Sequence, residues 1–159
     1  MSKHPILISA CLLGEKVRYD GGGMELENTI IRNWQKDSLL IPLCPEVSGG
    51  LSTPRKPAEI ISDNGDLVKI VNIGGIDVTE EFNKGAQKAL EVCLRHNIKL
   101  AILTESSPSC GSSFIHNGQF DGQKIVGEGI TTRLLRQHNI KVFDQFQIEQ
   151  ALEYYQSLT

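Results

Sequence analysis

The chain has 159 residues, 40% of them apolar and 22% charged, with a formal net charge of -3. That length suits one domain, residues 1–159, with a complete core, and the composition is that of a globular protein. Lys and Arg are scattered, so the basic footprint of a nucleic-acid binder is missing and a small polar substrate fits better.

The opening run MSKHPILISACLLGEK is too short to span a bilayer and is broken by Gly14, Glu15 and Lys16. It reads as a buried strand, and a cytoplasmic protein with no membrane role is expected. Ile6–Ala10 is predicted as the first strand, followed by the Gly-rich loop Arg18–Gly23. Glu25–Lys36 reads as a helix with Ile30, Ile31 and Trp34 on its apolar side. Leu39–Leu43 is the second strand and ends at Cys44-Pro45.

The segment Glu46–Glu59 carries Gly and Pro punctuation that argues against any regular element. Ile60–Ile61 and Leu67–Ile73 flank SDNGD, an Asn-Gly hairpin signal. A long helix is predicted over Glu80–His96, with Thr79 as N-cap and Phe82, Ala86, Ala89, Leu90, Cys93 and Leu94 on one face. Lys99–Leu103 is a further strand, and TESSPSCGSS the loop after it. Ile130–His138 (helix, with Leu134 and Leu135 inward), Lys141–Phe143 (strand) and Phe146–Leu158 (helix) complete the chain. This alternation predicts an α/β fold: a three-layer α/β/α sandwich with a mostly parallel, Rossmann-like sheet and an inserted hairpin.

Cysteines fall at positions 11, 44, 93 and 110, with no C-x-x-C pair, so zinc-ribbon and thioredoxin readings are weak. A reducing cytoplasm also argues against a disulfide framework. Cys93 lies mid-helix on an apolar face and reads as a small buried hydrophobe. Cys11, Cys44 and Cys110 each end a strand-like run, and strand ends of a parallel sheet share the edge where sites are built. Thiolates ligate zinc, copper(I) and iron–sulfur clusters, and three without a local His partner leave a coordination position open. Spacing alone leaves an open metal or cluster site and coincidental buried thiols as equal alternatives.

Glu46, two residues past Cys44, could move protons beside such a centre, although taken alone a carboxylate at a loop start reads better as a surface residue. Ser106, Ser107, Ser109, Ser112 and Ser113 around Cys110 are hydrogen-bond donors for a ligand or ordinary turn residues. Arg18, Tyr19 and Asp20, with Thr53, Pro54 and Arg55, lie near the same edge, where an arginine could bind an anion or a carboxylate. The dinucleotide, P-loop, H-E-x-x-H and G-x-S-x-G patterns are absent, and His4, His96, His116 and His138 form no cluster.

The motifs ISACLLGEKVRYDGG, PLCPEVSGGLSTPRKPAEI, DVTEEFNKGAQKAL, SSPSCG and GEGITTRLL, in this order, resemble the bacterial domain of unknown function 523 family, which includes the thiouracil desulfidases. The resemblance implies a [4Fe-4S] cluster held by Cys11, Cys44 and Cys110, with one iron lacking a protein ligand. It further implies Glu46 as catalytic acid/base, a supporting hydroxyl at Ser107 with Ser106 or Ser109 as substitutes, and removal of sulfur from thiouracil or a related thiolated base by non-redox hydrolysis. The chain departs from the pattern at Thr104, where a basic residue is common, and ends in a helix beyond the shared core. The competing readings are a zinc, iron–sulfur or redox sensor without catalysis, and a different cluster-dependent lyase or hydrolase.

Overall fold

The computed structural model describes residues 3–65 and 67–158. Four strands, β1 (Ile6–Ser9), β2 (Leu40–Leu43), β5 (Leu100–Ile102) and β8 (Lys141–Phe143), form an all-parallel sheet in the order β2-β1-β5-β8. Two antiparallel hairpins stand outside it, β3 (Ala58–Asp63) with β4 (Val68–Asn72), and β6 (Phe114–His116) with β7 (Lys124–Val126). The predicted α/β class and parallel central sheet are therefore present.

The strands read as apolar runs because both faces of the sheet are covered. Ile6, Ile8, Leu100 and Ile102 point to one side and pack with Ile31 and Trp34 of α1 (Thr29–Lys36) and Ile148 and Ala151 of α5 (Ile148–Ser157). Leu7, Ala101 and Leu103 point the other way, against Ala89, Leu90 and Cys93 of α3 (Thr79–Arg95) and Leu135 of α4 (Ile130–Gln137). The hairpin β3–β4 packs Ile60 and Ile70 on Phe82 and Ala86, nearer the start of α3.

Several expected boundaries move. The first strand ends at Ser9, and Ala10–Leu13 turns into one 3-10 turn closed by Gly14 in the left-handed conformation (φ 90°). The helix predicted from Glu25 begins at Thr29, because the Asn28 side chain accepts from the N–H groups of Ile30 and Ile31 and caps it there. Thr79 does not cap α3. Its hydroxyl is taken by β4, accepting from the N–H of Ile70 at 2.8 Å, and Val78 holds the cap position. Leu94 is exposed rather than part of the apolar face, Leu134 is only half-buried, and Phe146 is exposed ahead of α5. The SDNGD turn includes Asp66, which lies outside the described residues.

The largest correction concerns Glu46–Glu59. It opens within a short helix, α2 (Pro45–Ser48), with Pro45 at the first helical position, and it runs into β3 at Ala58. α2 lies against α3 with backbone touching backbone. A Cβ on Gly85 would come 1.9 Å from the Pro45 carbonyl oxygen, and one on Gly49 would come 1.9 Å from that of Glu81. Elsewhere in a helix Gly→Ala gains about 1 kcal/mol. Here Gly85→Ala is expected to lose about 1–3 kcal/mol through overpacking, because the clash is with main chain that cannot rotate away. Denaturant titration of the variant measures this; equal or greater stability would mean α2 moves freely.

Candidate active site

The strand order sets the position of the site. The chain leaves β1 toward β2 on one side and leaves β5 toward β8 on the other, so a crevice opens at the carboxyl ends of β1 and β5. Cys11 follows β1, Cys44 follows β2 and Cys110 lies in the loop after β5. All three line one cavity of about 840 Å³ at this edge, together with Glu46, Arg55 and Ser107. The fourth thiol, Cys93, lies in the core on α3, 1% exposed, and burial pushes it up to about 12. All four cysteines are free.

Each cysteine is held by local structure. Cys11 sits in the 3-10 turn, and its carbonyl accepts from Gly14 and Met24. Cys44 is the N-cap of α2 without a side-chain capping bond, and its thiol donates to the Val17 carbonyl at 3.8 Å. Cys110 rides on a loop docked at the start of α4. The carbonyls of Pro108 and Ser109 accept the N–H groups of Ile130 and Thr131, and the Thr132 hydroxyl donates to the Cys110 carbonyl at 2.8 Å. The loop thus satisfies helix N–H groups that would otherwise lack partners.

Burial raises all three thiols. At Cys110 the nearby Glu46, Cys44 and Cys11 raise it further. Charging three thiols together in this cavity is therefore costly unless a cationic centre compensates, and binding one releases protons. Among the described residues, no three His, Cys, Asp or Glu side chains converge so as to hold a metal ion.

Glu46 lies in the first turn of α2, and Arg55 Nη2 donates to its Oε2 at 2.7 Å. The arginine is 7% exposed at its side chain and is also anchored on the Val17 and Ser52 carbonyls. The other expected loop residues divide. Arg18 and Tyr19 line the cavity, whereas Asp20 is exposed and caps its own turn by accepting from Gly22. Among the serines, Ser107 lines the cavity, with Oγ accepting the Cys110 N–H at 2.7 Å. Ser106 also lines the cavity, while Ser109 is buried against Thr131 and Ser112 against Glu105.

Glu105 is a cavity residue that the sequence reading passes over. Its Oε1 accepts from the N–H groups of Ser106, Ser112, Ser113 and Phe114, and Ser112 Oγ donates to Oε2, so the carboxylate ties both ends of the Cys110 loop. Asp144, 6% exposed, meets the same Ser112 hydroxyl and hydrogen-bonds Glu105. Burial raises Asp144, and facing Glu105 raises it further, to about 6. Burial also acts upward on Glu105, but the hydrogen bond from Asp144 and the backbone N–H groups outweigh it and hold it well below the usual range. A carboxyl raised on folding loses its stabilisation as pH climbs from its unfolded value near 4 through about 6. Asp144→Asn, which still donates to Glu105, is expected to remove that part of the pH dependence. The melting temperature at pH 4.5 should then fall relative to that at pH 7.5, compared with the wild type, and an unchanged difference would exclude a proton on Asp144.

His116, read as unclustered, also lines the cavity. Its Nδ1 is the buried side-chain polar atom without a hydrogen-bond partner among the described residues. It sits on β6, a three-residue strand too short to signal itself by alternation.

Comparisons with known proteins identify the family. The family model described as 2-thiouracil desulfurase matches residues 6–147. The chain belongs to the 2-thiouracil desulfurase family. It is also 43% identical over 152 residues to "Uncharacterized protein YbbK" of Bacillus subtilis (strain 168), covering 92% of this chain and 99% of that protein. Among solved structures it is similar to "[4Fe-4S]-dependent thiouracil desulfidase TudS", with TM-score 0.91 and 44% identity over 99% of this chain and 100% of that one. The matched family region contains all three cavity cysteines, Glu46 and Ser107. It stops before α5, yet the structural match extends across that helix, so α5 is not an addition to the shared fold.

Proposed function

We propose that this member of the family is a [4Fe-4S]-dependent desulfidase that converts thiouracil or a related thiolated nucleobase to its oxo form by non-redox hydrolysis. Water supplies the oxygen and the sulfur leaves as hydrosulfide, so C=S is exchanged for C=O with no change of oxidation state. The observation that carries the reading is the convergence of Cys11, Cys44, Cys110 and Glu46 on one cavity from three separate strand ends.

The donor set fits the cluster. Three soft thiol ligands line the cavity, the donor type that iron–sulfur clusters take. Cys11, Cys44 and Cys110 would hold it, leaving one iron without a protein ligand. When bound, that iron supplies a Lewis acid for the thiocarbonyl sulfur.

The chain's own groups do the rest. Arg55 fixes Glu46 through Oε2, which leaves Oε1 to take a proton from water attacking the thiocarbonyl carbon. Ser107 uses its oxygen to accept the Cys110 N–H, so its own O–H remains a donor toward the substrate. A reducing cytoplasm, the proposed location, keeps the four thiols unpaired.

Anaerobic reconstitution tests the proposal. Uptake of about four irons per chain with broad visible absorption, followed by hydrosulfide and uracil release from thiouracil, is expected. Tight binding of one colourless zinc with no turnover would leave a non-catalytic thiol site instead.

A further inference from the structure

Thr104 lines the cysteine cavity just beyond the end of β5. Its Oγ1 is 3.0 Å from Cys11 Sγ. Its backbone N–H donates to Ser9 Oγ at 3.0 Å, and Ser9 Oγ lies 4.0 Å from Cys110 Sγ. Ser9 is buried and ends β1, while Thr104 lies two residues beyond the end of β5. The parallel pairing Ile8↔Ile102 is what brings these two hydroxyls together.

We propose that Thr104, braced by Ser9, is a positioning residue that hydrogen-bonds the Cys11 sulfur and draws electron density from the iron–sulfur centre. The inference rests on the cluster assignment made above. With a free thiol, either atom of the Thr104–Cys11 contact could donate. A metal-bound cysteine has lost its proton, so the threonine hydroxyl must be the donor and the sulfur the acceptor. Ser9 is oriented in the same sense. Its oxygen already accepts the Thr104 N–H, so its proton faces outward, with the Cys110 sulfur at the outer reach of an O–H···S contact.

Hydrogen bonds to ligand sulfurs reduce their electron donation and raise a cluster's reduction potential. For a centre serving as a Lewis acid, the same withdrawal strengthens the open iron's pull on sulfur.

Thr104→Val keeps the shape and removes the donor, whereas Thr104→Ser keeps the donor and loses only a methyl group. Both, with Ser9→Ala, are to be reconstituted anaerobically beside the wild type and titrated redox-potentiometrically against the visible spectrum. Thr104→Val is expected to carry wild-type iron with a lower midpoint potential, Thr104→Ser to sit at the wild-type value, and Ser9→Ala to shift in the same direction by less. A Thr104→Val potential equal to wild type, or a serine variant displaced as far as the valine one, overturns the proposal. Iron content of the wild type separates the two levels of inference: a wild type without a cluster defeats the underlying assignment, whereas a loaded wild type with an insensitive Thr104 defeats only this one. Circular dichroism on each variant distinguishes a lost hydrogen bond from a lost fold.

Discussion

Cys44→Ser is expected to leave the reconstituted protein without its full iron complement and without hydrosulfide release, while Cys93→Ser keeps both. The same atom change is made at both sites, so only position differs. Cys44 lines the cavity as the N-cap of α2, in the same cavity as Cys11, Cys110 and Glu46. A serine oxygen there is a harder and more basic ligand that iron–sulfur chemistry uses poorly. Cys93 is held between Ala89, Leu90 and Ile98 in the layer beneath the sheet. Serine at that point buries a hydroxyl in an apolar setting and should cost about 1–3 kcal/mol of stability, with no effect on iron. Cys11→Ser and Cys110→Ser belong with Cys44. Iron and acid-labile sulfide analysis with a visible spectrum reads the result. Iron loss in the Cys93 variant would overturn the division of the four thiols.

Glu46→Gln should retain iron yet turn over roughly 10²–10⁴-fold more slowly, the range expected for loss of a positioned general base. Glutamine is nearly isosteric and its carbonyl can still accept from Arg55, so α2 and Cys44 stay in place. What disappears is the capacity to take a proton from water. Glu46→Ala should be at least as slow and should also leave the Arg55 guanidinium, 7% exposed at its side chain, without its carboxylate partner. Steady-state release of hydrosulfide from thiouracil, normalised to bound iron, measures the effect. Turnover at the wild-type rate per iron would remove Glu46 from the chemistry and leave it as Arg55's structural partner.

Much of the framework was legible. The apolar runs at Ile6, Leu39, Lys99 and Lys141 become the four parallel strands, and the apolar helical face of Phe82, Ala86, Ala89, Leu90 and Cys93 becomes the buried side of α3. The elements missed outright share one cause: they are too short for periodicity to accumulate. β6 and β7 have three residues each, and α2 has four. In all three, Ser, Gly and Pro nearby mimic plain loop chemistry. Thr79 failed as a cap for a different reason, since a tertiary partner, the backbone of Ile70, competed for its hydroxyl.

The site divides the same way. That three cysteines stand at strand ends and one inside a helix is a local property, so the chain's own pattern determined it. The motifs around the three add their family. Which groups touch was decided only by the tertiary structure, because the contacts join distant segments. Glu46 meets Arg55 across nine positions, Cys11 meets Thr104 across ninety-three, and the Cys110 loop is fastened by Glu105 and by the start of α4. Such pairs arise from parallel-strand register and from the close approach of α2 to α3 that Gly49 and Gly85 permit. A sequence records the residues suited to those contacts, and packing chooses which of them meet.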